Sequence, residues 1–525
     1  MDEAIHGAIG ITRWVINFGP NGIADALAHA TTVIHTAAEL FRRAGNDARR
    51  ELVEAVVNPL ADLIPLEPSL EAARAIVVRI STSVNTGRVG ELLGQVTDAA
   101  LVLAGHALRR ATPRALLEAT GNITMAILTA FVNNFGQLPA IRDGVLNNSV
   151  NAPTLELVWG HRAELITFIV DVVECAKGLV AAEGSGSLNA LQREYNELDI
   201  TERMNRHGMI CQLQRLVKSL VSIFQASMTV RTLADIDMTG DTTLESDLIP
   251  TPLMPLIEHI QAAPPTAKAG RNEHWLFING IGGEYYWLGL ACKKLAGAYG
   301  RKVVGIFNRG DGLLWDLVEC AGQRSARQVG STASQDSLVQ ATKSSADAQE
   351  ALHARLRGAL EKPEEELGPV VVVAHSQGCL VLRLVLQQLV SKGNQEILKK
   401  MKKSLCVFTF GNPSIHWTFE GPSHEAGGQR WPPGDLFCRT EHFANKTDFV
   451  AKLGVLRLRD ATNTNVGAVA SNGYSADTVF VNTSWKGHMF GAQYSLNPAD
   501  YVGAQGSWLL NCSSQRAMGA PAPAS

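Results

Sequence analysis

The run Val370-Val371-Val372-Val373-Ala374-His375-Ser376-Gln377-Gly378-Cys379-Leu380-Val381-Leu382 decides the reading of this chain. Four valines and an alanine in succession suit a strand buried on both faces, and the apolar residues after Gly378 suit a helix packed back on it. A single serine stands at the corner between them. Such a corner holds its central residue in a strained backbone conformation, tolerated where the residues two before and two after are small, as Ala374 and Gly378 are. The Ser376 hydroxyl is then expected to project above the sheet. The N–H of Gln377, at the start of the helix, points where negative charge develops on an attacked carbonyl oxygen.

From residue 273 onward short apolar runs alternate with helical segments, a pattern that predicts a mostly parallel sheet with helices on both faces. The strands are predicted at 275–278, 303–307, 370–374, 405–410, 436–443 and 478–481. In a sheet of this kind the turns at the carboxyl ends of the strands assemble the chemistry. A serine hydroxyl needs a histidine to take its proton and a carboxylate to hold that histidine in the right tautomer, with the acid and then the histidine following the serine along the chain. Asp448 fits as the acid because it lies just past a strand end; Glu441 falls inside the predicted strand and Asp435 before it. His488 fits as the base, in the loop after the last strand, with Gly487 giving the ring freedom to turn. Small-x-Ser-x-small, one aspartate after a strand, or one histidine each occurs for structural reasons alone; the ordered set on successive strand ends carries the reading. His375 and His442 are the competing histidines, the first expected off the opposite side of the elbow lining or supporting a pocket, the second packed within a strand.

The second oxyanion donor is expected in the loop after the first strand, Asn279-Gly280-Ile281-Gly282-Gly283, as the N–H of Ile281 with Gly280 beside it. Asn279, His375, Tyr285 and Trp417 are assigned to the pocket wall. The long connection 416–435, with Trp417, Phe419 and Trp431, is expected to form part of a lid or rim, and Tyr285-Tyr286-Trp287 would add to it.

These residues resemble the α/β-hydrolase-fold serine hydrolases. The likeness rests on Trp275-Leu276-Phe277-Ile278-Asn279-Gly280, Gly305-Ile306-Phe307-Asn308, Asp316-Leu317-Val318-Glu319-Cys320, Ala374-His375-Ser376-Gln377-Gly378, Asn445 with Asp448-Phe449-Val450, and Gly487-His488. More narrowly the set is similar to a largely uncharacterised, mainly fungal and some bacterial lipase-like group with an N-G-[IV] loop and an H-S-Q-G elbow. The resemblance covers about 273–500 and implies that Ser376, Asp448 and His488 form the triad. Two departures stand out: Ala374 replaces the first glycine of the commonest elbow, and Asn-Gly replaces His-Gly in the loop.

The first 225 residues read as helices joined by short breaks such as Gly19-Pro20-Asn21 and Glu67-Pro68-Ser69. Leu165, Ile169, Val172, Ala176 and Leu179 share one helical face, as do Leu213, Leu216, Val217, Leu220, Val221 and Phe224. An all-α bundle over 1–225 is therefore expected, with a membrane-surface module as the alternative. Residues 226–272, ending in Ala262-Ala263-Pro264-Pro265-Thr266, read as a linker, and 273–525 as the α/β domain with a flexible tail from about 513.

With 47 basic and 50 acidic residues and a formal net charge of −3, the chain offers no field or basic block for nucleic acid. Its eight cysteines show no C-x-x-C pair and no metal spacing, so reduced thiols, no metal and no cofactor are expected. The acidic stretch from Asp235 to Asp241 begins like a calcium loop but places Ser246 where a bidentate glutamate belongs. With no basic, apolar leader and with the apolar stretch 165–182 broken by Asp171, Glu174 and Lys177, a cytoplasmic protein is expected, with peripheral membrane contact through the helical half as an option. The sequence-level expectation is a carboxylic ester hydrolase, with lipid esters favoured by the aromatic rim. A thioesterase or acyltransferase shares every catalytic residue, and a helical signalling protein using a non-catalytic hydrolase scaffold is the rival of another class.

Overall fold

The structure is a computed structural model that describes residues 195–212, 215, 272–310, 312, 315–317, 319–320, 343–392, 394–421, 430–457, 472–475, 477–513 and 516–518. The helical half before 195, nearly all of the linker, the calcium-like stretch 235–246 and the end of the tail lie outside these residues. Those at 200–212 and 215 belong to one compact unit, and 195–199 with those from 272 onward to another. All that follows concerns the second.

Strand β1 (His274–Ile278) leads into helix α1 (Tyr285–Tyr299), whose Leu288, Cys292, Leu295 and Tyr299 recur at four, three and four and are buried together. Strand β2 (Val303–Ile306) follows, then α2 (Lys343–Leu360), β3 (Val370–His375) and α3 (Gln377–Lys392). Asn394 caps α4 (Gln395–Ser404), its side chain accepting from the Ile397 N–H at 2.9 Å, and Lys402 and Lys403 sit where the helix dipole favours cations. Beyond β4 (Leu405–Phe410) lies a two-residue antiparallel ladder of β5 (Phe419–Glu420) and β6 (Arg430–Trp431), then α5 (Pro433–Leu436), β7 (Arg439–Asn445), α6 (Phe449–Leu453), β8 (Val479–Asn482) and α7 (Phe490–Gln493).

Among the described residues six strands form one sheet in the order β2-β1-β3-β4-β7-β8, every pair parallel. This is an α/β arrangement. Five predicted strands start and stop within a residue of the observed ones. The exception is 436–443: Pro432 and Pro433 start a short helix instead, and β7 begins only at Arg439. Along β4 the residues alternate, Cys406, Phe408 and Phe410 facing a cluster that includes Phe277, Tyr299, Phe443, Phe480 and Tyr494. Helix α1 and the C-terminal segment close that face of the sheet. β3 is buried at every residue, as the valine run predicts.

Because the chain runs outward from β1 to β2 and then returns to β3 on the other side of β1, the strand order reverses between β1 and β3. A crevice opens at such a reversal, outside the carboxyl ends of the strands. Both the Asn279 loop and Ser376 stand there.

Candidate active site

Ser376 has φ +57°, alone among the described non-glycine residues in taking the left-handed conformation. Its N–H bonds the Phe410 carbonyl at 2.8 Å and its carbonyl accepts from the Cys379 N–H at 2.9 Å, so the end of β4 and the first turn of α3 hold the corner from both sides. A serine kept in a sparsely populated conformation by its surroundings points to function.

The Ser376 Oγ lies 2.7 Å from His488 Nε2, and His488 Nδ1 lies 2.8 Å from Asp448 Oδ2. Since a carboxylate only accepts, Nδ1 carries the proton and Nε2 is left to accept from the serine hydroxyl. Asp448 is the N-cap of α6: its Oδ1 accepts from the N–H groups of Val450 at 2.8 Å and Ala451 at 3.3 Å. The Tyr494 hydroxyl donates to Oδ2. Burial first, and then the Asp448 charge, push the Tyr494 phenol well above its usual range, so it stays a donor. Four donors thus fix one carboxylate.

The histidine loop is held by equally directed bonds. Asn445 Nδ2 reaches the carbonyls of Gly487 and Gln493, both at 2.9 Å, while Gln493 Oε1 accepts from the N–H groups of His488 and Met489, also at 2.9 Å. Gly487, expected to give the ring freedom, is instead fixed at φ +90° against the Gln493 amide, where a Cβ would come within 2.2 Å. From α1, Lys294 Nζ donates to the carbonyls of Phe490 (2.8 Å), Gly491 (2.8 Å) and Tyr494 (2.5 Å), and Glu197 Oε1 accepts from the Gly491 N–H at 2.8 Å. Burial lowers the Lys294 amine to about 8 and raises the Glu197 carboxyl, each opposed by the other's charge.

His375 does not point away from His488. Its ring packs 4.6 Å from the His488 ring, and its Nε2 is 2.8 Å from the His488 carbonyl oxygen. Burial, then the His488 charge, hold it well below the usual imidazole range, so it packs on His488 as a neutral ring. His442 hydrogen-bonds Thr409 Oγ1 at 2.7 Å inside the sheet, and burial lowers it to about 3. Glu441 bonds Arg439, Ser507 and the Trp508 N–H, tying down the C-terminal segment, and Asp435 is exposed on α5.

In the loop after β1, Gly280 lies against Ser376: an added Cβ would sit 2.2 Å from Ser376 Cβ and 2.9 Å from its Oγ. The Gly282 N–H is taken by Asp316 Oδ2 at 2.6 Å. Asn279, expected on the pocket wall, is a clamp. Its Oδ1 accepts from the Asn308 N–H at 2.8 Å and its Nδ2 donates to the Asn308 carbonyl at 2.7 Å. Asn308 in turn donates to Gln377 Oε1 at 2.7 Å, and Gln377 Nε2 donates to Glu319. One network therefore links the ends of β1 and β2 to Gln377, the residue after Ser376.

Trp417 also differs from expectation. It is wholly buried, edge-on to Phe419 and His442 and stacked with Tyr474, so it belongs to the core and not to a pocket wall. Tyr285, Tyr286, Trp287 and Phe307 keep part of their surface in solvent beside the Asn279 loop, with Tyr285 edge-on to Phe307. Ser376, Asp448 and His488 are exposed by only 0%, 0% and 1%, so all three side chains are buried.

Tyr494, Gln493, Lys294 and Glu197 were not among the residues singled out from the sequence. Tyr494 and Gln493 carry a weak signal, lying within six residues of His488 on a short helical turn; Lys294 and Glu197 are far away in the chain and carry none. The chain matches no protein-family model, no curated protein and no solved structure.

Proposed function

We propose that this protein is a serine hydrolase of the α/β-hydrolase fold that cleaves carboxylic esters through an acyl-enzyme. The observation that carries the reading is the unbroken line of hydrogen bonds from Ser376 Oγ through His488 to Asp448, anchored on a serine at φ +57°. His488 Nε2 takes the hydroxyl proton as Oγ attacks the carbonyl, the Asp448 carboxylate steadies the imidazolium, and the N–H groups of Gln377 and Ile281 receive the oxyanion. His488 then returns the proton to the leaving alcohol, and water repeats the sequence on the acyl group.

Lipid-like esters are favoured by two observations. The nucleophile is closed off from water, and the half-exposed aromatic residues Tyr285, Tyr286, Trp287 and Phe307 flank the loop beside it. An acyl chain lying beside that loop would find apolar surface there. Thioesters would react at the same groups.

A fluorophosphonate probe followed by a panel of short- and long-acyl esters tests the proposal. Wild-type protein should label at Ser376 and turn over the longer esters faster, and Ser376→Ala should do neither. Absence of labelling in folded wild-type protein, or undiminished turnover in Ser376→Ala, would overturn it in favour of a non-catalytic scaffold.

A further inference from the structure

The sequence shows no paired cysteine motif, yet the fold brings two thiols together. Cys406 is the second residue of β4 and Cys438 immediately precedes β7. The Cys438 N–H bonds the Leu405 carbonyl at 2.9 Å, and Cys406 lies in register with Arg439. Adjacent strands lie about 4.8 Å apart, so a one-residue offset puts the two Cα atoms about 6 Å from each other, within the span of a disulfide. Strict alternation would send neighbouring offset residues to opposite faces, but Cys438 precedes the strand, and its side chain packs against the same apolar cluster that holds Cys406.

The two sulfurs are unlike. Cys406 is buried, whereas Cys438 is the one described cysteine that keeps part of its surface in solvent. The neighbouring Cys406 thiol first, and then the charges of Lys402 and Arg439, lower the Cys438 thiol from its usual range, while that neighbour and burial push Cys406 up. By contrast Cys292, Cys320, Cys379 and Cys512 are all raised by burial. An accessible thiolate flanked by cations, with a second thiol against it, has the arrangement of an attacking and a resolving cysteine.

We propose that Cys438 and Cys406 form a peroxide-responsive dithiol, an oxidation site separate from the hydrolytic one, that converts reversibly to a disulfide joining β4 to the start of β7. In the first step the Cys438 thiolate attacks one oxygen of a hydroperoxide. An S–O bond forms, the O–O bond breaks, and the hydroxide or alkoxide leaves with the electron pair. In the second step the Cys406 sulfur attacks Cys438, the S–S bond forms, the S–O bond breaks, and the departing hydroxide takes the Cys406 proton as water. With hydrogen peroxide the balance is two thiols and one peroxide to one disulfide and two waters. The Ser376 N–H bonds the carbonyl of Phe410, which lies four residues along β4 from Cys406, about 13 Å at the usual rise, so the nucleophile is untouched by the reaction. The bond would staple the excursion that carries β5, β6 and α5.

The test uses the full chain, reduced, exposed to hydrogen peroxide, quenched with iodoacetamide and mapped by mass spectrometry without reduction. The expected product is a Cys406–Cys438 cross-linked peptide about 2 Da lighter than the two thiol peptides, which dithiothreitol removes. Alkylation of Cys438 in the unoxidised protein should be half-maximal at a lower pH than that of an ordinary thiol, the direction in which its own titration is shifted. In Cys406→Ser the oxidation should stop at a Cys438 sulfenic acid that dimedone captures, and in Cys438→Ser Cys406 should stay reduced. Fluorophosphonate labelling of Ser376 should be the same in both variants as in wild type, or equally absent, so a failed hydrolase reading leaves this one standing. Sulfinic acid at Cys438 without a cross-link, a Cys438 that stays reduced in folded wild-type protein, or a Cys406 as readily oxidised in Cys438→Ser as in wild type would overturn the proposal.

Discussion

The corner at Ser376 and the loop carrying His488 supply two halves of one hydrogen-bonded line, yet they are held in different ways. At the corner, position comes from backbone: a strand buried on both faces, a left-handed serine, a helix starting at the next residue, and glycines that let the Asn279 loop touch. At the loop, it comes from side chains reaching across the fold, with Asn445 from β7, Lys294 from α1 and Glu197 from the segment before the sheet all bonding main-chain groups between Gly487 and Tyr494. A nucleophile placed by local backbone rules should fail abruptly when a small group is added. A base placed by many distant bonds should lose function in steps.

Removing the reacting groups sets the scale. Ser376→Ala or His488→Ala should lower kcat/KM by about 10,000-fold with the fold intact by circular dichroism. Gly280→Ala should come next. Its Cβ would overlap Ser376 Cβ at 2.2 Å and crowd the His375 carbonyl oxygen at 2.9 Å, and a Cβ held by its own backbone cannot swing aside as the end of a long side chain can. Displacing the hydroxyl by a fraction of an ångström should lower kcat/KM about 100-fold, and overpacking should remove about 1–3 kcal/mol in a denaturant titration. A Gly280→Ala protein as active as wild type would mean that the corner is not held by backbone contact.

The same contrast explains what could be read from the chain. Ser376, Asp448 and His488 were legible because each follows a strand whose composition announces it, and five strands fell where the apolar runs placed them. Strand β7 was set too early because Leu436 and Phe437 extend its apolar run, although Pro432 and Pro433 favour a helix start there. Trp417 was read as pocket wall because a long connection usually lies at the surface, whereas its ring is enclosed by Phe419, His442 and Tyr474, which no spacing joins to it. His375 and Asn279 were placed near the site but without their partners, the His488 carbonyl and Asn308, since sequence shows which residue stands at a strand end and not what its side chain bonds. Lys294 and Glu197 meet Gly491 from 197 and 294 residues away, a separation that leaves no local pattern.

The loop's bonds should be separable. Tyr494→Phe removes one of four donors to Asp448 and keeps the ring, so kcat should fall about 10-fold with KM little changed, and stability should fall by about 1–2 kcal/mol. Lys294→Met withdraws the ammonium from three carbonyls and leaves the Glu197 carboxylate buried without its opposing charge. A stability loss of about 2–3 kcal/mol is expected in a urea titration, with a fall of about 5-fold in the rate of fluorophosphonate labelling. If Lys294→Met abolished labelling outright while the protein stayed folded, the loop would depend on a single clamp, as the corner depends on its backbone.

The smallest effect lies at the seam, where His375 ends β3 and packs on His488. Both His375 and His442 are held neutral by burial, His442 down to about 3 from the usual 6.5. Between those two values the unfolded chain binds a proton that the folded chain does not, so stability must rise with pH through the window and be lost as the solution is acidified. For His442 alone the loss on going from neutral pH to pH 5 is about 2 kcal/mol, and His375 adds to it in the same direction. His442→Gln should therefore flatten the acid limb of a stability-against-pH curve while leaving ester turnover near neutral pH within about 2-fold, because His442 bonds Thr409 and touches neither half of the line. His375→Phe should flatten the limb as well but also slow turnover by about 3-fold, since it removes the bond to the His488 carbonyl while keeping a ring in place. Equal turnover in the two variants would place His375 with His442 as a packed histidine, and the corner and the loop would then act as independent supports.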